Sequence, residues 1–172
     1  MEPVAPHPRV LALTTFIDAS AADVIYVQEA LGREAAGRFA VVVRRKTGEP
    51  VVIENEPHLR DGTPMPTLLW LLDPEIHDAV SRIESNGGVH RFEPLVDEEE
   101  LRRTHDEYEA RRKAATLNTT APQPSGGVGG TRTGIKCLHA HVANHLAGFT
   151  DPVGALVSEE IVLPELIVEH VR

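Results

Sequence analysis

The sequence predicts an α+β domain: a small antiparallel sheet of about three strands packed with four or five helices. Three observations carry that expectation. Capped segments with helical apolar spacing recur along the chain, two β-branched runs flank a Thr-Gly turn, and a further apolar run is too short for a helix. At 172 residues the chain has the length of one domain with one core.

Residues 1–19 read as an N-terminal arm, Pro-rich and then apolar from Val10 to Phe16, which suits either a short strand or an ordered arm. The α+β core follows over 20–117. Ser20-Ala-Ala-Asp23 is a capping box with a shorter acid, and Val24, Val27 and Leu31 repeat at helical spacing before Gly32, which predicts a helix over 21–31. Phe39 to Arg44 and Val51 to Ile53, joined by Thr47-Gly48-Glu49, read as a hairpin. The prolines and glycine of 56–66 forbid regular structure, and the apolar run 67–72 reads as a buried third strand.

Asp73-Pro74 is a helix start, because the carboxylate caps free amides and proline tolerates the first helical position. Ile76, Val80 and Ile83 form its apolar stripe, which stops at Asn86-Gly87-Gly88. A third helix spans 97–116, with Glu98, Glu99 and Glu100 at its start and Arg111, Arg112 and Lys113 at its end, as the helix dipole favours. Glu98/Arg102, Glu99/Arg103, Glu107/Arg111 and Glu109/Lys113 stand at i,i+4. Only Leu101, Tyr108 and His105 offer this helix a buried face, so it is expected on the surface.

Residues 118–132, rich in Gly, Pro, Ser and Thr, have too little apolar area to order themselves and read as a flexible linker. The stretch 133–172 completes the same domain with a fourth helix from Gly134 to Leu146, a short helix capped at Asp151-Pro152, and an apolar tail from Ile161 to Val171.

Composition narrows the function classes. A formal charge of −9 argues against a general nucleic-acid binder, since phosphate backbones reward clustered Lys and Arg. No apolar run approaches a membrane span, and the N-terminus lacks signal-peptide features, so a cytoplasmic location without membrane contact is expected. The single cysteine, Cys137, has no intramolecular disulfide partner.

The chemically densest element is the helix carrying Cys137, His139, His141 and His145. With a start at Gly134, Ile135, Leu138, Val142 and Leu146 form its apolar stripe, and His139 falls among them as a core residue. Cys137, His141 and His145 then stand at i, i+4 and i+8 on an adjacent face. His-x3-His is a zinc-ligand spacing, because the two rings project from successive turns. Cys137 and His145 are separated by about 12 Å of helical rise, so only a neighbouring pair can share an ion. His58, Asp61, Asp73, His77 and His170 are candidates for the other ligands. A thiol reading also exists: Cys137 beside Lys136 in a first helical turn, with His141 as base. Upstream, Gly127, Gly129, Gly130, Arg132 and Lys136 suggest an anion cradle at the helix N-terminus, with a flexible hinge as the equal alternative.

Several segments together resemble an uncharacterised bacterial family, domain of unknown function number five hundred and one, common in actinobacteria. They are Leu31-Gly-Arg33 running into Ala40-Val-Val-Val43; 56–67 with 79–84; and Gly126 to Gly130 with Gly134-Ile-Lys-Cys-Leu-His-Ala-His141, then Asp151-Pro-Val-Gly154. The resemblance supplies no established activity. Its gene neighbourhoods imply a role around cell division or polyphosphate metabolism. Relatives often carry cysteines where this chain has Arg45 and Asp73, which implies that an Arg45/Asp73 ion pair replaces them here.

Three functions follow as expectations. The first is a non-enzymatic regulatory or binding module for a protein partner or a phosphate-containing small molecule, using the Gly-rich loop and the Cys/His helix. The second is a zinc-dependent hydrolase of a phosphorylated substrate, using His141, His145 and a carboxylate. The third is a thiol enzyme using Cys137.

Overall fold

The computed structural model describes residues 16–169. The arm up to residue 15, the end of the apolar tail and His170 lie outside the described residues. Within them the chain forms an α+β domain with six α-helices and one four-stranded antiparallel sheet. The elements are α1 (Ala21–Leu31), β1 (Phe39–Arg45), β2 (Pro50–Asn55), β3 (Leu69–Leu71), α2 (Pro74–Ser85), α3 (Gly88–Phe92), α4 (Glu98–Ala115), α5 (Leu138–Leu146), α6 (Pro152–Glu159) and β4 (Leu166–Val168). The strand order is β3-β2-β1-β4. The strand beyond the expected three comes from the apolar tail, which pairs with β1 through Val43↔Val168 and Arg45↔Leu166.

Both faces of the sheet are covered, which is why β1 is buried continuously from Phe39 to Val43 rather than at alternate positions. Phe39, Val41 and Ile53 pack with Val27 of α1 on one face. Ala40, Val42, Val52 and Leu69 pack with α2, α4, α5 and α6 on the other. The capping box at Ser20 is present, and Asp23 also holds Arg44 through two 2.7 Å contacts that tie α1 to β1.

The α4 helix departs from the surface position expected of it. Leu101, Thr104, His105, Tyr108, Arg112 and Ala115 are all buried along one stripe. The stripe is hard to read as apolar because its polar members satisfy backbone groups that no strand or helix pairs. The Tyr108 hydroxyl accepts from the Leu68 and Leu69 amides at 2.6 and 3.1 Å, and Arg112 donates to the carbonyls of Pro66 and Gly126 at 2.9 and 2.5 Å. The expected i,i+4 pairs form only in part. Lys113 reaches Glu109 at 3.6 Å, Arg102 binds Glu99 and Asp106 instead of Glu98, and Arg111 turns inward to Asn144 at 2.6 Å.

The segment 118–132 has no regular structure before the 3-10 turn Val128–Gly130, and its first residues are largely exposed. Its second half is packed: Pro124, Gly126, Gly127 and Val128 are buried. A Cβ at Gly127 would lie 2.4 Å from His105 Cβ, so only glycine fits this approach to α4.

Candidate metal centre

The α5 helix begins at Leu138, four residues later than its expected start at Gly134. Cys137 is therefore the N-cap residue, with extended backbone and no side-chain cap, and does not lie in the first turn. This displacement reverses the roles expected of the histidines.

The α2 helix supplies the missing cap. Asp73 Oδ1 accepts from the Glu75 and Ile76 amides at 3.1 and 3.0 Å, and Ile76 and Val80 are buried, worth roughly 1.5–3 kcal/mol each by area. Anchoring that stripe turns His77, Ser81 and Glu84, at i, i+4 and i+7, toward the start of α5. Glu84 Oε2 accepts from the Leu138 amide at 3.0 Å and lies 3.0 Å from His139 Nδ1. Cys137 Sγ lies 3.9 Å from the same nitrogen. The ligand atoms of Glu84, Cys137 and His139 all fall within 4.8 Å of one another, the one such group among the described residues.

The other edge of the His139 ring is held. Its Nε2 lies 3.0 Å from Ser81 Oγ and 3.2 Å from the His77 carbonyl, and the His77 ring packs on it at 4.4 Å between centroids. Burial alone would lower the pKa of His139, but the hydrogen bond with Cys137 and the charges of Cys137 and Glu84 outweigh it, and the pKa is raised. In the protonated ring Nδ1–H donates to Glu84 and Nε2–H to the His77 carbonyl. Burial and the neighbouring His139 charge lower the pKa of His77. A cleft of ≈290 Å³ opens beside the group, lined by Trp70, Leu72, His77, Gly129, Cys137 and His139 among others.

The expected polar face of Cys137, His141 and His145 does not exist. His141 is fully buried, with Nδ1 2.9 Å from both oxygens of Asp151, which also accepts from Asn144 Nδ2 at 3.0 Å and from the Gly154 amide at 2.9 Å. The core residue is thus His141, whereas His139 is partly exposed at the cleft. His145 packs on α6, where a Cβ at Gly154 would lie 2.5 Å from His145 Cβ and 2.3 Å from the His141 carbonyl oxygen.

The Gly-rich loop turns its amides inward. Gly127 donates to the Thr131 carbonyl at 2.7 Å, Gly130 to the Gly127 carbonyl at 3.0 Å, and Val128 to His105 Nδ1 at 3.1 Å. Gly129, Gly130 and Gly134 take positive φ, which closes the loop before the helix rather than feeding into it. Arg132 and Lys136 are exposed. The anion at this helix N-terminus is the Glu84 carboxylate, which occupies the place expected for a phosphate.

The remaining candidates stand elsewhere. His58 bonds the Pro122 carbonyl at 2.9 Å and Asp61 accepts from the Thr63 amide at 2.9 Å. Arg45 and the fully buried Asp73 form the expected ion pair, at 2.5 and 2.9 Å. Burial alone would raise the Asp73 pKa, but Arg45 and the Ile76 and Glu75 amides bring it down. This pair sits at the opposite end of α2 from Glu84, about 16 Å away along the helix, and cannot stand in for a ligand beside Cys137. The expected thiol pair of Cys137 and His141 does not form: His141 is fully buried against Asp151, and the ring beside Cys137 is that of His139, which meets Cys137 and Glu84 on the same nitrogen.

Residues 41–159 match the family described as protein of unknown function, DUF501. The chain belongs to that family. The matched region contains Glu84, Cys137, His139 and the lining of the cleft from Thr67 onward, so the whole candidate centre lies inside the family domain. No curated protein and no solved structure matches the chain. Glu84 and Ser81 escaped the sequence reading because an acid on the outer face of an amphipathic helix is ordinarily solvated. The spacing of His77, Ser81 and Glu84 on one face of α2 is the signal that could have found them.

Proposed function

We propose that this family member is a metal-binding module in which Glu84 Oε2, Cys137 Sγ and His139 Nδ1 hold one zinc-class ion, with a fourth position turned to the cleft. The observation that carries this reading is the convergence of the three atoms. Tetrahedral zinc with Zn–S near 2.3 Å and Zn–N or Zn–O near 2.0–2.1 Å needs ligand separations of roughly 3.3–3.6 Å. The 3.0 and 3.9 Å separations bracket that range, and side-chain shifts of a few tenths of an ångström reach it. The carbonyl of His77 supports the same reading, because an outer hydrogen bond on Nε2 directs the lone pair of Nδ1 toward a metal. A metal would then replace the proton that Glu84 and Cys137 now favour on His139. A free thiol ligand also suits a reducing compartment, in keeping with a cytoplasmic location.

Protein purified without a histidine tag is expected to carry or take up one equivalent of zinc, and cobalt substitution to give a thiolate charge-transfer band. Cys137→Ser and His139→Ala should abolish both, and His145→Ala should change neither. Unaltered uptake in Cys137→Ser and His139→Ala would overturn the assignment.

A hydrolase is the second reading, and the position of the cleft favours it. Three protein ligands with an open fourth position are the pattern of catalytic zinc, which lowers the pKa of bound water to about 7. His77, whose pKa is lowered, lines that cleft and could accept a proton. Zinc-dependent ester hydrolysis that disappears in His77→Gln while zinc content is retained would support this reading over simple binding.

A further inference from the structure

We infer that the cleft beside Glu84, Cys137 and His139 takes a small ligand with a neutral or singly charged metal-binding head and an apolar tail, and not a phosphorylated one. This inference rests on the metal-binding reading above and adds the ligand class. The charge argument comes first. A divalent ion held by a thiolate, a carboxylate and a neutral imidazole is formally neutral, so the site itself offers no surplus charge to a dianion. The wall adds none, since neither a lysine nor an arginine is among its lining residues. A phosphate dianion there would be desolvated without a partner, at considerable cost. The Arg33 guanidinium lies over the Trp70 ring, 6.0 Å from its centroid.

The shape argument points the same way. The cleft is lined by Cys137 and His139 together with Leu31, Leu72 and the Trp70 indole, so a ligand anchored at the metal lays its tail along those apolar side chains. The volume of ≈290 Å³ is enough for a short chain. Each methylene removed from water along that wall adds affinity. The polar side chains of the lining are Thr67, His77, Cys137 and His139.

Trp70 is the only tryptophan of the chain, so its fluorescence reports occupancy of this cleft directly. The experiment titrates the cobalt-loaded full chain with octanohydroxamate, acetohydroxamate and inorganic phosphate, reading the cobalt spectrum and Trp70 emission together. Octanohydroxamate is expected to shift both signals and to bind at least tenfold more tightly than acetohydroxamate, while millimolar phosphate shifts neither. Leu31→Asp, which places a charge in the cleft lining, should erase the chain-length preference and leave the ligand-free cobalt spectrum unchanged. Equal affinity for the two hydroxamates, or phosphate binding that alters Trp70 emission, would overturn the ligand class while leaving the metal site standing. A chain that takes up no cobalt overturns both.

Discussion

His139 and His141 are two residues apart on one helix, point about 200° apart around it, and have opposite environments. His139 faces α2 and the cleft, meets a partly exposed carboxylate that it shares with the Leu138 amide, and has the Cys137 sulfur beside the same ring nitrogen. His141 faces the interior, and both it and its partner Asp151 are completely buried. The difference teaches that residue type and spacing on a helix do not assign chemistry. The carboxylate that a neighbouring element brings does, together with the solvent left around it. His141 with Asp151 and Asn144 ties α5 to α6, whereas His139 with Glu84 and Cys137 leaves ligand atoms convergent at an opening.

The largest effect expected from this contrast falls on the buried side. Asp151→Ala removes the cap of α6 and leaves His141 and Asn144 without their acceptor, a loss of about 3 kcal/mol in urea unfolding. The folded fraction should still bind zinc with unchanged affinity, and loss of binding there would break the separation of the two sites. On the open side the effects exchange places. His139→Ala or Cys137→Ser should weaken zinc by more than about a hundredfold, and the metal-free chain should lose only about 1 kcal/mol, since both groups are partly exposed.

A pH titration sharpens the comparison further. The His139 pKa is raised in the folded chain, so its contribution to metal-free stability is fully present below about 6.5 and is lost as the pH rises through the higher folded value. The urea midpoint of the metal-free protein should therefore carry a component that falls with rising pH from about 6.5 upward, absent in His139→Ala. Zinc affinity should climb through the same window, because the metal displaces that proton. Identical pH profiles for wild type and variant would remove His139 from the site. The smallest effect belongs to Ser81→Ala, which deletes one hydrogen bond on Nε2 while the His77 carbonyl remains. A drop in zinc affinity of about tenfold, with stability changed by under about 0.5 kcal/mol, is expected by calorimetry.

Much of the local architecture was legible in the residues. Ser20 with Asp23, Asp73-Pro74 and Asp151-Pro152 mark helix starts that the structure confirms, because a capping carboxylate or hydroxyl is a local device that needs no tertiary partner. The Arg45/Asp73 pair was anticipated from the family resemblance alone. The start of α5 was not, since its cap comes from Glu84, more than fifty residues away, and no neighbouring residue announces it. Buried α4 was missed for a related reason: Leu101, Tyr108 and His105 made too narrow a face, and Arg112 looks solvated until the irregular segments whose carbonyls it satisfies are laid against it.

The sequence alone determined the α+β class, the helix starts with internal caps, the hairpin, and a Cys/His-rich segment as the place where chemistry concentrates. Tertiary structure alone decided which of those histidines is accessible, which carboxylate meets it, and that the Gly-rich loop closes on itself. The physical reason is one of range. Capping, turn chemistry and apolar period act over a few residues, whereas a ligand set is a coincidence of atoms from α2 and the start of α5, brought within 4.8 Å only by the packing of the whole domain.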